Sequence, residues 1–179
     1  DAGHVYWTRS GATAIGRAAL TGKEVEAEWI KGIGNPAAGV AVDAGHVYWA
    51  NSYTGSIGRA NLSGGEVEPG WIKGVGYPLG VAADAGHLYW GNAGNNSIGR
   101  ANLSGGEVEA EWIKGLPALA GVAVDAGHVY WANLGGESIG RANLAGAEVE
   151  PAFRKASLDV WGVAVEYRTA DPSTKSLAF

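Results

Sequence analysis

The heptapeptide Asp1-Ala-Gly-His-Val-Tyr-Trp7 returns at residues 43–49, 84–90 and 125–131, with Leu88 for valine, at intervals of 42, 41 and 41 residues. A fixed period in this range marks a chain built from copies of one supersecondary unit, and about 40 residues suits a four-stranded propeller blade. Two further blocks travel with the first. Ile-Gly-Arg-Ala recurs at Ile15, Ile57, Ile98 and Ile139, and Trp-Ile-Lys-Gly at Trp29, Trp71 and Trp112.

Within one unit the residues read as four strands. Gly39-Val-Ala-Val-Asp43 is a short apolar strand, and Asp43-Ala-Gly-His46 is a tight turn, with Asp first and Gly free to take positive φ. His46 to Asn51 is apolar on both pleat faces, so both must be covered. Asn51 to Ser56 is a polar loop, Ile57 to Leu62 a third strand, and Ser63-Gly-Gly65 a turn. Glu66 to Lys73, with Pro69 and its charges, has the marks of an edge strand. The fold class predicted is all-β, a propeller of four four-stranded blades, in which each sheet is covered by its neighbours.

The small inner-strand residues Val40–Val42, Val81–Ala83, Val122–Val124 and Val163–Val165 follow Gly39, Gly80, Gly121 and Gly162 and suit the crowded axis. The first unit begins after its inner strand, and the last match is an inner strand. The expectation is that this C-terminal strand completes the N-terminal blade and closes the ring within one chain, making residues 1–167 a single domain with a tail at 168–179. Donation between two chains would instead give an eight-bladed homodimer.

Composition narrows the function. With 30 Gly, 8 Trp and 7 Tyr, the large apolar volume is aromatic and the turns are tight. Thirteen basic against eighteen acidic residues, a net charge of −5 and no basic stripe argue against nucleic acid and anionic membrane. No cysteine is present, so thiolate metal sites are excluded, and no apolar run approaches the roughly 20 residues of a membrane span. No nucleophile elbow, HExxH motif or phosphate loop occurs, so no catalytic residue, metal ligand or cofactor is assigned.

The unit Gly-Val-Ala-Val-Asp, Val-Tyr-Trp-Ala-Asn, Ile-Gly-Arg-Ala-Asn-Leu-Ser-Gly resembles the YWTD repeat of the low-density lipoprotein receptor class, in a bacterial-type form. Tyr6-Trp7-Thr8, Tyr48-Trp49, Tyr89-Trp90 and Tyr130-Trp131 match the core of its motif. The family's closing Asp is Arg9, Asn51, Asn92 or Asn133 here, and family propellers usually have six blades where this chain supplies four. The resemblance implies a protein-binding or scaffold role, extracellular and without catalysis.

A residue repeated four times is most simply explained by an architecture that needs it four times. His4, His46, His87 and His128 therefore read as turn-edge residues in separate blades, too far apart to share one ion. Arg17, Arg59, Arg100 and Arg141 read as bridges between blades, and both tryptophan series as packing. Ligand contacts are expected on the variable loops between second and third strands and on the connections into inner strands, which open on one face. That face is expected to carry Asn51, Tyr53, Tyr77, Asn92, Asn96, Asn133 and Trp161, amides and aromatics suited to a protein or carbohydrate ligand. Two other readings compete: a propeller hydrolase or lyase with a divalent metal near the axis, and a purely structural propeller.

Overall fold

The computed structural model describes residues 3–9, 11, 13–34, 39–156 and 160–165. Among the described residues, fifteen strands make four antiparallel sheets that follow the repeat. Blade 1 holds β1 (His4–Thr8), β2 (Ala14–Ala19) and β3 (Glu26–Lys31). Blade 2 holds β4 (Val40–Val42), β5 (His46–Asn51), β6 (Ser56–Asn61) and β7 (Glu68–Lys73). Blade 3 holds β8 (Pro78–Ala83), β9 (His87–Asn92), β10 (Ser97–Asn102) and β11 (Glu109–Ile113). Blade 4 holds β12 (Leu119–Val124), β13 (His128–Asn133), β14 (Ser138–Asn143) and β15 (Glu150–Lys155). In every blade the strands pair in chain order, and the Glu-bearing strand, with Pro69 in blade 2 and Pro151 in blade 4, is the outer edge.

The first turn of the unit is held by its aspartate. Asp43 Oδ1 accepts from the backbone N–H groups of Gly45 (2.7 Å) and His46 (2.6 Å), and its Oδ2 accepts from the Tyr48 hydroxyl at 2.8 Å. Asp84 with Tyr89 and Asp125 with Tyr130 repeat the arrangement. The carboxylate thus ties the start of the second strand to that strand's own tyrosine, which fixes the direction of the hairpin.

Cross-strand packing within each blade explains the Gly of the Ile-Gly-Arg-Ala block. Trp49 lies over Gly58, where an added Cβ would fall 2.2 Å from Cε2 of the indole, and Trp7, Trp90 and Trp131 lie likewise over Gly16, Gly99 and Gly140. Only hydrogen in that position lets the ring lie against the neighbouring strand. Trp49, Trp90 and Trp131 are fully buried, and removing such a ring from a packed core costs about 4 kcal/mol.

Three apolar clusters fill the three seams. Ile15, Ile30 and Ile33 of blade 1 meet Val47, Trp49 and Ala60 of blade 2. Tyr48, Ile57, Ile72 and Val75 of blade 2 meet Leu88, Trp90 and Ala101 of blade 3. Tyr89, Ile98, Ile113 and Leu116 of blade 3 meet Val129, Trp131 and Ala142 of blade 4. Near the axis Gly39, Gly80, Gly121 and Gly162 stack in succession. An added Cβ on Gly39 would fall 2.8 Å from the Cα of Gly80, on Gly80 2.8 Å from that of Gly121, and on Gly121 3.0 Å from that of Gly162.

Three expectations differ from the structure. The sheet of blade 1 has three strands, and residues 160–165 form no strand on it. They follow blade 4 instead, with Gly121 N–H donating to the Trp161 carbonyl at 3.0 Å. The stacked glycines stop at Gly162, whose Cβ position is open, so among the described residues the blades form an arc and closure is not seen. Residues 166–179, including the expected tail, lie outside the described residues. The arginines mostly pair within their own blades, not across seams. Arg59 Nη2 reaches Glu68 at 2.6 Å and its guanidinium lies 4.5 Å from the Trp71 ring centroid, whereas Arg100 also crosses a seam, donating to the Leu144 carbonyl at 3.3 Å. Two-residue strand pairing explains this: the register sets Arg59 opposite Glu68 on the outer strand, within reach of its carboxylate.

Candidate functional site

The two variable loop sets do open on one face, because they hydrogen-bond to each other. Val75 N–H donates to Gly55 O (3.0 Å), Ala93 to Tyr77 O (3.1 Å), Leu116 to Asn96 O (3.0 Å) and Leu134 to Ala118 O (2.7 Å). Each bond ties a second-to-third-strand loop to the connection entering an inner strand.

The seven residues expected on this face divide by burial. Asn51, Asn92 and Asn133 are buried, and their Nδ2 atoms donate to the carbonyls of Pro69 (2.6 Å), Ala110 (2.8 Å) and Pro151 (2.7 Å). They pin the second strand to the outer strand, and Asn51 also lines a hollow on this face. The physical reason is register: each asparagine pairs with a serine of the third strand, Ser56, Ser97 or Ser138, and so points into the sheet's own loop.

Tyr53, Tyr77, Asn96 and Trp161 remain at the surface. Tyr53 and Trp161 are 73% and 71% exposed, an unusual state for large rings in a chain that buries three tryptophans completely. Tyr53 sits on a single 3-10 turn, Ser52–Thr54, whose exit Gly55 has φ 60°. A Cβ on Gly55 would strike the Gly76 carbonyl oxygen at 2.7 Å, so the residue must be glycine for the two loops to touch. That contact brings the rings of Tyr53 and Tyr77 together edge to face, centroids 6.4 Å apart and planes at 74°. Asn96 is exposed at φ 54° on the neighbouring loop, where Asn95 is engaged with Glu111 at 2.7 Å. No ring contact links Trp161 to the tyrosine pair among the described residues. On the same face a hollow of about 230 Å³ is lined by Gly34, Thr54, Pro69 and Lys73.

The opposite face carries the Asp-Ala-Gly-His turns. A wider hollow of about 670 Å³ lies between Asp43–His46 and Asp84. Its polar groups are already engaged. Burial alone would raise the pKa of Asp43, but the N–H groups of Gly45 and His46 and the Tyr48 hydroxyl outweigh it and hold the carboxyl below its usual range. Asp125 is held low in the same way. Tyr48, Tyr89 and Tyr130 are pushed up, first by burial and then by the aspartate each one serves. His46, His87 and His128 lie in separate blades, each tilted against the tyrosine two residues on, with centroids 5.9–6.0 Å apart. Among the described residues no group of three or more His, Asp or Glu side chains is placed to hold a metal ion, and no helix is long and apolar enough to cross a membrane.

No protein-family model and no curated protein matches the sequence. Solved structures do match the fold. A chain of a nidogen/laminin complex is similar with a TM-score of 0.76 at 19% identity, covering 91% of this chain and 64% of that one. Virginiamycin B lyase from Staphylococcus aureus is similar with a TM-score of 0.62 at 23% identity, covering 84% of this chain and 52% of that one. The computationally designed Ika4 protein is similar with a TM-score of 0.54 at 11% identity. This chain thus spans about two thirds of the nidogen-complex chain and half of the lyase. At these identities the likeness is one of fold: the chain is built as successive β-propeller blades.

Proposed function

We propose that the chain is a non-enzymatic binding propeller, extracellular in setting, whose loop face takes a protein segment with Tyr53 and Tyr77 as its anchor. The observation that carries this reading is the exposed edge-to-face tyrosine pair, set on loops locked together at Gly55 and Gly76. Rigid, half-desolvated aromatic rings are the residues that dominate interface energies, because they bring large contact area at little entropic cost. The similarity to a chain of a nidogen/laminin complex supports a protein partner over other ligands.

The test presents the purified chain to peptide and glycan arrays in parallel, beside a Tyr53→Ala/Tyr77→Ala variant. Peptide hits that weaken about 30-fold in the variant are expected, the loss of one two-tyrosine hot spot. Glycan hits alone would move the ligand to carbohydrate on the same face. Silence on both arrays at high protein concentration overturns the reading. The lyases among the similar structures favour one alternative, a hydrolase or lyase using a divalent ion near the axis. A rise in melting temperature on adding calcium or magnesium, reversed by chelator, would favour that alternative over ours.

A further inference from the structure

The three seams are one interface made three times, and the two ends of the arc each carry half of a fourth. On the leading side of a seam lies an isoleucine and aromatic face, and on the trailing side a valine, tryptophan and alanine face. A turn glycine of the trailing blade also sits on the outer-strand indole of the leading one. Gly64 lies over Trp29, Gly105 over Trp71 and Gly146 over Trp112, with Cβ positions 2.8–3.2 Å from the nearest ring atom.

At the start of the arc the trailing-type face is bare. Val5 is 48% exposed where Val47, Leu88 and Val129 are at 0%, and Leu20 and Val25 beside it are 63% and 64% exposed. Gly22, in the position of Gly64, has no atom within 4 Å of its Cβ position. At the other end blade 4 shows the leading-type face. Ile139 and Tyr130 are half-buried where Ile57, Ile98, Tyr48 and Tyr89 are buried, and Phe153 stands at the tryptophan position with no turn glycine above it.

We propose that these ends bind one another between copies of this chain, head to tail, with blade 1 of one copy seated on blade 4 of the next. Val5 then packs against the partner's Ile139, and Gly22 covers the partner's Phe153, as Val47 and Gly64 do at the first internal seam. A bare stripe of three large aliphatic residues on one end is thereby matched to the only face of the fold already shown to cover its counterparts. Blade 4 departs from the template at Arg154, which replaces Ile30, Ile72 and Ile113. Its guanidinium lies 4.1 Å from the Phe153 ring centroid and donates to the Phe153 carbonyl at 2.9 Å, so the cation is partnered on its own strand. The contact between copies is therefore more polar than the internal seams, and weaker and concentration-dependent.

Light scattering over a concentration series tests this on the full chain. The expected mass rises with concentration to at least twice the 18.3 kDa of one chain. Val5→Asp and Phe153→Asp each bury a charge in the contact and should raise its dissociation constant at least about a hundredfold. Each variant keeps one sound end, so an equimolar mixture of the two should recover twice the chain mass, which a symmetric face-to-face contact would not do. If Val5→Asp fails to fold by circular dichroism, Val25→Asp probes the same face from a more exposed position. A mass of one chain at every concentration, which is also the result for closure within a chain, overturns the proposal. So does a mixture that stays at one chain.

Discussion

At the scale of single residues, two kinds of position carry the fold, and the sequence distinguishes them unequally. The glycines under the indoles were legible as repeated but not as contacts, because the Trp49 to Gly58 proximity depends on the strand register. Gly58→Ala should destabilise the chain by about 3 kcal/mol, the upper range of overpacking a tight core, read in urea unfolding. A change under 0.5 kcal/mol would mean that the indole does not lie against that strand. The buried asparagines show the reverse case. Asn51, Asn92 and Asn133 read as loop residues because each ends a strand before a polar run. Yet they recur at one repeat position, as Tyr53 and Tyr77 do not, and recurrence is the signal that separates pinning residues from surface ones.

At the scale of the element, the Asp-Ala-Gly-His turn was legible in full from its residue types, since aspartate and glycine at those places leave the chain little choice. Its electrostatics needed the structure, because the tyrosine that serves each aspartate lies two residues beyond the turn. The sign of the pH dependence follows. Asp43 and Asp125 have folded pKa values below their unfolded ones, so their contribution is present above about pH 4 and is lost as pH falls through the lower folded values. Tyr48, Tyr89 and Tyr130 have raised values, so theirs is present below about pH 10 and is lost as pH rises through the higher folded values. Melting temperature plotted against pH should thus be level in between and fall at both ends. Asp43→Asn should blunt the acid fall, and an unchanged acid limb would show that the turn aspartates do not govern it.

At the scale of the whole molecule, the number and order of blades could be read from the period, whereas the curvature could not, since it is set by how one sheet tilts on the next. Blades 2 and 3 are covered on both faces and blades 1 and 4 on one, so protection should rise toward the middle of the arc. In solution dilute enough to keep copies apart, hydrogen exchange should find the amides of β5, β6, β9 and β10 slowest and those of β1 to β3 fastest. Uniform protection would show that the end faces are covered in solution. The glycine-on-indole seam has one more consequence, which concerns descent. Because blades 1 to 3 each carry both halves of the same joint, an in-frame duplication of one such unit of coding DNA yields a blade that already fits the neighbours on either side. Blade number is then a character that a lineage can change in a single recombination, without any new contact having to evolve.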